Sequence, residues 1–229
     1  MKTTIAKSMI KKDSIPKHVL NDLRKQIILG SYKAADRLRE IELSEQYNTS
    51  RGTIRSALQD LSSEGLVEFL DSGGCVVSDI GEKFISDTYD FRGLLEEKAA
   101  SIILDSPDIS YLPMISALDK FNEIDSSKAT IETYVDLDIN FHQAIVQTSN
   151  NKPIYRAWCQ MSPVINVLLT LNLSSDYLAD YLNRFYDHHK AIVTYAFHQD
   201  KKLLQEIRDQ NESAKRKSIE NLKRIRLSH

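Results

Sequence analysis

Four polar side chains in the second half of the chain are spaced so that they could meet at one ion. Asp138 and His142 stand four apart, which on a helix places a carboxylate and an imidazole on one face. Alone, D-x-x-x-H is common by chance. His189 and Asn211 are 22 residues apart, a span of about 33 Å in one continuous helix. A polar break at Gln199-Asp200 lies midway, eleven residues from each end when counted at Asp200. Eleven up and eleven down returns His189 and Asn211 level on neighbouring helices. A carboxylate, two imidazoles and an amide then converge, a donor set for zinc, nickel or manganese in which the amide is the weakest ligand. His188 is the alternative to His189, and the spacing favours His189. Arg92 precedes Glu96 by four; the plain reading is an exposed i,i+4 ion pair.

A second constellation lies nearer the N-terminus. Ser50 suits an N-cap for a helix whose inward residues are Ile54, Ala57, Leu58 and Leu61. Its outward side opens with Arg51, Thr53, Arg55 and Ser56, and Gly52 leaves room for close approach of a phosphate. Two arginines at a helix start are also an ordinary solvated face. The surroundings decide between these readings. An apolar segment with Leu43 and Tyr47 precedes the helix and stops at Asn48-Thr49. Gly65 follows it, then two β-type runs, Leu66–Leu70 and Cys75–Val77, turned by Ser72-Gly73-Gly74. Helix, tight turn, helix and hairpin is the order of a winged helix-turn-helix, which sets its second helix in the major groove.

The elements that position these groups are mostly helices. Residues 1–13 read as a polar basic tail, and a first helix runs from Ser14 with Leu20, Leu23 and Ile27 inward and Gly30 as its stop. Residues 78–83 form a short polar linker. Six helices are then expected, ending near Ser106, 126, 149, 172, 199 and 226. The first turns Leu94, Leu95, Ala99 and Ile102 to one face; polar breaks at Ser126-Ser127, Asn150-Asn151, Asn172 to Ser175 and Gln199-Asp200 separate the later ones. Long helices and short loops predict an antiparallel bundle. Tyr89, Tyr134, Tyr155 and Trp158 read as core. The expected fold is mainly α, with a winged helix-turn-helix and small β-hairpin wing over 1–78 and an all-α bundle over 79–229.

The 229 residues can bury two modest cores, and the formal net charge of −2 is not that of a generic polyanion binder. Residues 1–78 hold twelve Lys/Arg against ten Asp/Glu, and the remainder eighteen against twenty-two, so the small basic excess lies with the winged helix. Cys75 and Cys159 have no C-x-x-C spacing, which suits a reducing cytoplasm. With no run of 18 apolar residues and no leader-like segment, the expectation is cytoplasmic, without a membrane. A metal-dependent enzyme is one alternative, but no general base stands at a motif spacing, and G-x-S-x-G, P-loop, H-E-x-x-H and G-x-G-x-x-G are missing. The chain therefore reads as non-enzymatic. A metal- or metabolite-binding scaffold without DNA binding is the other.

The first of these regions resembles the GntR family. Its motif appears as Leu43-Ser44-Glu45, Ser50-Arg51 through Arg55 to Leu58, Glu64-Gly65-Leu66 and the wing glycine Gly74. Ile41 stands where the family usually has Arg, Gly73 where it has a basic wing residue, and Ala35-Asp36 where Pro-Gly is frequent. Both charge losses shift the expected DNA contacts toward Arg51, Arg55 and Arg39. Residues 84–215 resemble the FCD domain of the FadR-type branch, with Asp138, His142 and His189 at the family's metal positions and Asn211 at the fourth. Phe141-His142 with Asn151, and Ala191-Ile192 after His189, carry the match further. The family's Arg-x-x-x-Glu falls on Arg92 and Glu96, where the arginine meets an effector carboxylate. The resemblance implies a homodimeric repressor on double-stranded operator DNA. Arg39, Ser50, Arg51, Gly52, Thr53, Arg55, Gly73 and Gly74 would face DNA. Arg92, Asp138, His142, His189 and Asn211 would face a small carboxylate or sugar-acid effector.

Overall fold

Local capping decides where the N-terminal helices start and stop. Helix α1 spans Ser14–Ile28, and the chain turns away at Gly30 with φ +83°. Strand β1 is Arg37–Leu38, α2 is Glu40–Gln46 and α3 is Arg51–Ser63. The Ser50 hydroxyl accepts from the Thr53 N–H at 3.1 Å, which fixes the start of α3. At its other end the N–H groups of Gly65 and Leu66 bond back to Ser62 and Leu61, with Gly65 at φ +75°, a Schellman turn. Strands β2 (Val67–Phe69) and β3 (Cys75–Val77) follow, and the bend between them uses positive φ at Gly73 and Gly74.

The wing carries a strand that the sequence does not announce. The sheet is antiparallel in the order β1-β3-β2, with Leu38 opposite Cys75 and Phe69 on the other side of it. Two residues are too few to show alternation, so β1 has no periodic signal. Packed against α3, α1 contributes Val19, Leu23 and Ile27 to the core. A buried fork joins these helices: Arg24 donates to both oxygens of Glu64 at 2.6 Å.

The computed structural model describes residues 14–125, 129–173 and 178–227, and the chain divides into two units, Met1–Ile80 and Gly81–His229. The expected tail 1–13, the break at Ser126-Ser127 and residues 174–175 of the third break lie outside the described residues. In the second unit the helices are α4 (Glu82–Leu104), α5 (Leu112–Asn122), α6 (Ile131–Thr148), α7 (Lys152–Thr170), α8 (Leu178–Phe197) and α9 (Lys202–Leu227). Thr130 and Asn151 cap α6 and α7 through their side-chain oxygens. Asn150 and Gln199 take the left-handed conformation at two of the expected breaks, φ +53° each. Helix α4 packs against α6, α7 and α9, and α8 against α5 and α9. Among the described residues no helix is long and apolar enough to cross a membrane.

Of the face expected on α4, Leu95 and Ala99 are buried, Ile102 is half-buried and Leu94 is misplaced. Leu94 is 66% exposed, while α4 turns Ile85, Tyr89, Arg92, Leu95, Glu96, Ala99 and Ile103 inward. Apolar periodicity cannot place that stripe, because two of its members are charged.

Candidate functional site

Helices α4, α6, α7, α8 and α9 each send a polar side chain to one buried cluster. Helix α6 supplies Asp138 and His142 from one face, as the four-residue spacing requires, and α8 supplies His189. One ligand atom from each of the three lies within 4.8 Å of the others, a group able to hold a metal ion. All three are buried. His188 is exposed instead and meets Glu206 at 3.0 Å.

The protonation of this cluster follows from its outer partners. His142 Nδ1 lies 3.0 Å from Glu96 Oε2, and His189 Nδ1 lies 2.6 Å from the Phe185 carbonyl. Both Nδ1 atoms face acceptors, so each carries the hydrogen and each Nε2 presents a lone pair. Those lone pairs face a third acceptor: Asp138 Oδ1 is 3.8 Å from His142 Nε2 and 3.3 Å from His189 Nε2, not aligned as a hydrogen bond. His189 Nε2, Asp138 Oδ2 and Asn211 Oδ1 are buried with no hydrogen-bond partner among the described residues. Asp138 Oδ2 has Arg92 Nη2 at 3.6 Å, but Asp138 Oδ1 and the two Nε2 lone pairs, acceptors set against acceptors, fit a cation, with the second ring nitrogens fixed as metal-binding imidazoles require.

Glu96 holds the cluster together. Its Oε1 accepts from Arg92 Nε at 2.8 Å and from Trp158 Nε1 at 3.0 Å. Its Oε2 faces His142 Nδ1 and accepts from Asn211 Nδ2 at 2.9 Å. Burial opposes charge on this carboxyl, but Arg92 and His142 outweigh it and hold it well below the usual carboxylate range. The Arg92–Glu96 pair thus forms as spaced, but it is fully buried rather than exposed, which corrects the plain reading. Burial likewise opposes the charge of Asp138, and Arg92 at 3.6 Å, joined by the two imidazoles once they carry a second proton, holds its carboxyl below the usual range. His189 is pushed below its ordinary value, chiefly by burial against Phe121, Phe141 and Phe185.

Sequence reasoning missed Glu96 and Trp158 as parts of this site. The signal for Glu96 was the Arg-x-x-x-Glu spacing, which named it only as the partner of Arg92, and Trp158 was read only as core. Beside the cluster is a cavity of about 250 Å³ whose lining includes Arg92, Asp138, His142, Tyr134 and Lys217. Asn211 is tied to the cluster through Glu96 and to the Ile207 carbonyl, which leaves its oxygen bare.

In the N-terminal unit, Arg39, Arg51, Arg55 and Gly74 line one groove of about 720 Å³ between α2, α3 and the wing. Arg51 and Arg55 are more than half exposed, one turn apart. Arg39 donates to Glu42 at 2.6 Å. Ser50 and Thr53 are tied to each other by the cap. A Cβ built on Gly52 would meet Ser50 Oγ at 3.7 Å, an ordinary contact, and on Gly73 or Gly74 nothing within 4 Å. Packing within the chain therefore does not require glycine at 52.

A winged helix-turn-helix followed by a helical bundle with an enclosed polar site defines a ligand-responsive DNA-binding regulator. Residues 16–77 match the model for bacterial regulatory proteins of the gntR family, and residues 87–210 match the FCD domain. The chain belongs to the GntR family, in its FCD-containing branch. It is 26% identical over 221 residues to the gluconate operon transcriptional repressor of Bacillus subtilis, covering 93% of this chain and 88% of that one. Over 200 residues it is 26% identical to the galactonate operon transcriptional repressor of Escherichia coli, covering 78% and 85%. Among solved structures, E. coli McbR/YncC superposes with a TM-score of 0.61 at 19% identity, over 92% of this chain and 97% of that one, a likeness of fold. The family comprises transcription regulators, not enzymes, that bind operator DNA and small-molecule effectors.

Proposed function

We propose that this regulator acts in the cytoplasm as a homodimeric repressor whose operator affinity is set by a small carboxylate or sugar acid bound in the helical bundle. The observation that carries the reading is the set of bare acceptors, Asp138 Oδ2, His189 Nε2 and Asn211 Oδ1, three of the six buried side-chain polar atoms without a hydrogen-bond partner among the described residues. Asp138, His142 and His189 would hold a divalent ion, with the Asn211 amide as a weaker fourth group. Zinc, nickel and manganese suit these donors, and such an ion supplies positive charge toward an acid. Arg92 lines the same cavity and adds a fixed guanidinium for a carboxylate. The Tyr134 hydroxyl, which also lines it and has no hydrogen-bond partner among the described residues, suits a hydroxyl of a sugar acid. The names of the gluconate and galactonate repressors point to the same ligand class.

On the DNA side, α3 would enter the major groove. Arg51 and Arg55 would face bases or phosphates, Ser50 and Thr53 the backbone, and the Gly73-Gly74 tip the neighbouring groove, with Arg39 beside them. Thermal melts of chelated protein test the effector site, using gluconate, galactonate and other small acids with and without each metal. A shift for one acid that needs metal supports the full site. A metal-independent shift transfers the role to Arg92 and removes the ion. Absence of any shift overturns the acid class. For DNA, Arg51→Ala should weaken duplex binding in an anisotropy titration and flatten its salt dependence. Unchanged binding removes Arg51 from the interface.

A further inference from the structure

An acidic residue sits in the middle of the arginine groove. Glu40, the first residue of α2, directs its carboxylate at α3. Arg55 Nε donates to Glu40 Oε1 at 2.7 Å, and Arg55 Nη2 donates to Oε2 at 2.8 Å. Arg51 Nη2 lies 3.8 Å from the same Oε2. The carboxylate is 21% exposed beneath arginines that are 60% and 61% exposed. A negative charge there repels a polyanion. Its structural worth is small, since exposed ion pairs add little to stability and α2 packs against α3 independently of it, with Leu43 of α2 and Leu58 of α3 both buried.

The geometry of the fork supplies a reason. A guanidinium has five N–H donors in one plane and two edges that can pair bidentately. Glu40 takes the side edge, Nε with one hydrogen of Nη2. The end edge, Nη1 with the other hydrogen of Nη2, points onward along the side chain. Two parallel N–H groups on that edge match guanine O6 and N7 in the major groove. We propose that Glu40 is a positioning residue that holds Arg55 for reading a guanine. This rests on the placement of α3 at DNA made above. The pair has two consequences of opposite sign. Holding Arg55 in one rotamer lowers the ordering cost of a specific contact. The carboxylate also cancels charge that would otherwise strengthen sequence-independent phosphate binding. Loss of Glu40 should therefore weaken discrimination and tighten non-specific binding, a combination that a merely destabilised fold does not produce.

Full-length wild type, Glu40→Gln, Glu40→Ala and Arg55→Ala would each be used to select duplexes from a random-sequence library. Each would then be titrated by anisotropy against the wild-type motif and a scrambled duplex at several salt concentrations. The expected wild-type motif contains a guanine that both Glu40→Ala and Arg55→Ala relax, with discrimination falling on the order of 5- to 150-fold. Glu40→Ala should bind the scrambled duplex more tightly than wild type. Glu40→Gln, which keeps one acceptor for Arg55, should fall between and decides the matter if the alanine variant folds poorly. A guanine relaxed by Arg55→Ala but kept by both Glu40 variants overturns the role of Glu40 alone. So does a uniform loss of affinity without a change of motif. A wild-type protein that selects no motif overturns this inference together with the placement of α3 at DNA.

Discussion

Replacing Glu96 by Gln changes one atom in a fully buried side chain, yet it should disturb both stability and metal binding. In the native bundle both Glu96 oxygens are saturated: Arg92 and Trp158 donate to one, His142 and Asn211 to the other. The amide can keep an oxygen toward Arg92 and Trp158. Its NH2 then faces His142 Nδ1–H and the Asn211 NH2, donor against donor. Arg92, 2% exposed, also loses the only carboxylate to which it hydrogen-bonds among the described residues and retains Asp138 at 3.6 Å. Removing one partner of a buried ion pair costs about 3–5 kcal/mol. For a unit of this size each kcal/mol moves the melting temperature by roughly 2–4 °C, so the drop should be roughly 6–20 °C.

The second effect passes through His142. Facing an NH2, its Nδ1 becomes the acceptor, and the hydrogen moves to Nε2, where the lone pair had pointed at Asp138. Loss of such an outer partner costs about 10–100-fold in metal affinity. Calorimetry on chelated protein measures the first quantity, and competition with a chromophoric chelator the second. Glu96→Gln melting within about 2 °C of the parent, with equal zinc affinity, would refute both the ion-pair and the tautomer arguments.

Gly52→Ala should raise the melting temperature of the N-terminal unit, since its Cβ meets only ordinary contact and helix propensity improves by about 1 kcal/mol. The same variant should weaken duplex binding in anisotropy; equal binding would show that no phosphate approaches residue 52. Ala35 sits at φ +69°, a conformation costing non-glycine residues roughly 1–2 kcal/mol, so Ala35→Gly should raise stability in a urea titration by up to about 1 kcal/mol. Acid should destabilise the metal-free bundle in two steps. His189 is depressed in the folded state, so the unfolded chain protonates first as pH falls past 6.5, and stability drops. Asp138, held at about 2 against 3.8 unfolded, adds a loss of the same sign as pH falls below about 4. Melts of chelated protein from pH 8 to pH 4 should fall steadily, and a maximum near pH 5.5 would contradict the assignment.

The winged helix was legible because its signals are local. Ser50 caps, Gly65 stops, and Gly73-Gly74 bends where the residue types alone require it. Strand β1 was not legible, because two residues carry no period and its pairing partner lies nearly forty residues away. In the bundle, Asp138 and His142 were legible as a pair by helical spacing, and the turn with Gln199 in the left-handed conformation joins the helices that carry His189 and Asn211. Glu96 was not, because its role is set by four donors on three other helices and its own. Sequence spacing reports neighbours on one helix, not convergence across five. The same limit hid Glu40: fifteen residues from Arg55, it has no periodic relation to it and meets it only through the turn between α2 and α3.

The bare acceptors are expensive, and under the proposed function that expense is the means of sensing. An unsatisfied buried polar atom costs about 1–3 kcal/mol. The described cluster has three, Asp138 Oδ2, His189 Nε2 and Asn211 Oδ1, in a shell of aromatic rings that could have been closed with apolar side chains. Burial keeps the His189 imidazole neutral, so its lone pair stays available near pH 7. A cation with an acid bound to it would satisfy groups that the protein alone leaves unmet, and would therefore favour whichever bundle conformation brings them closest. The shift in operator affinity then equals the difference in binding energy between two conformations, typically 1–3 kcal/mol. Satisfying even one of the three atoms better in one conformation than in the other reaches that scale. A bundle with every acceptor already paired would have no such difference to offer.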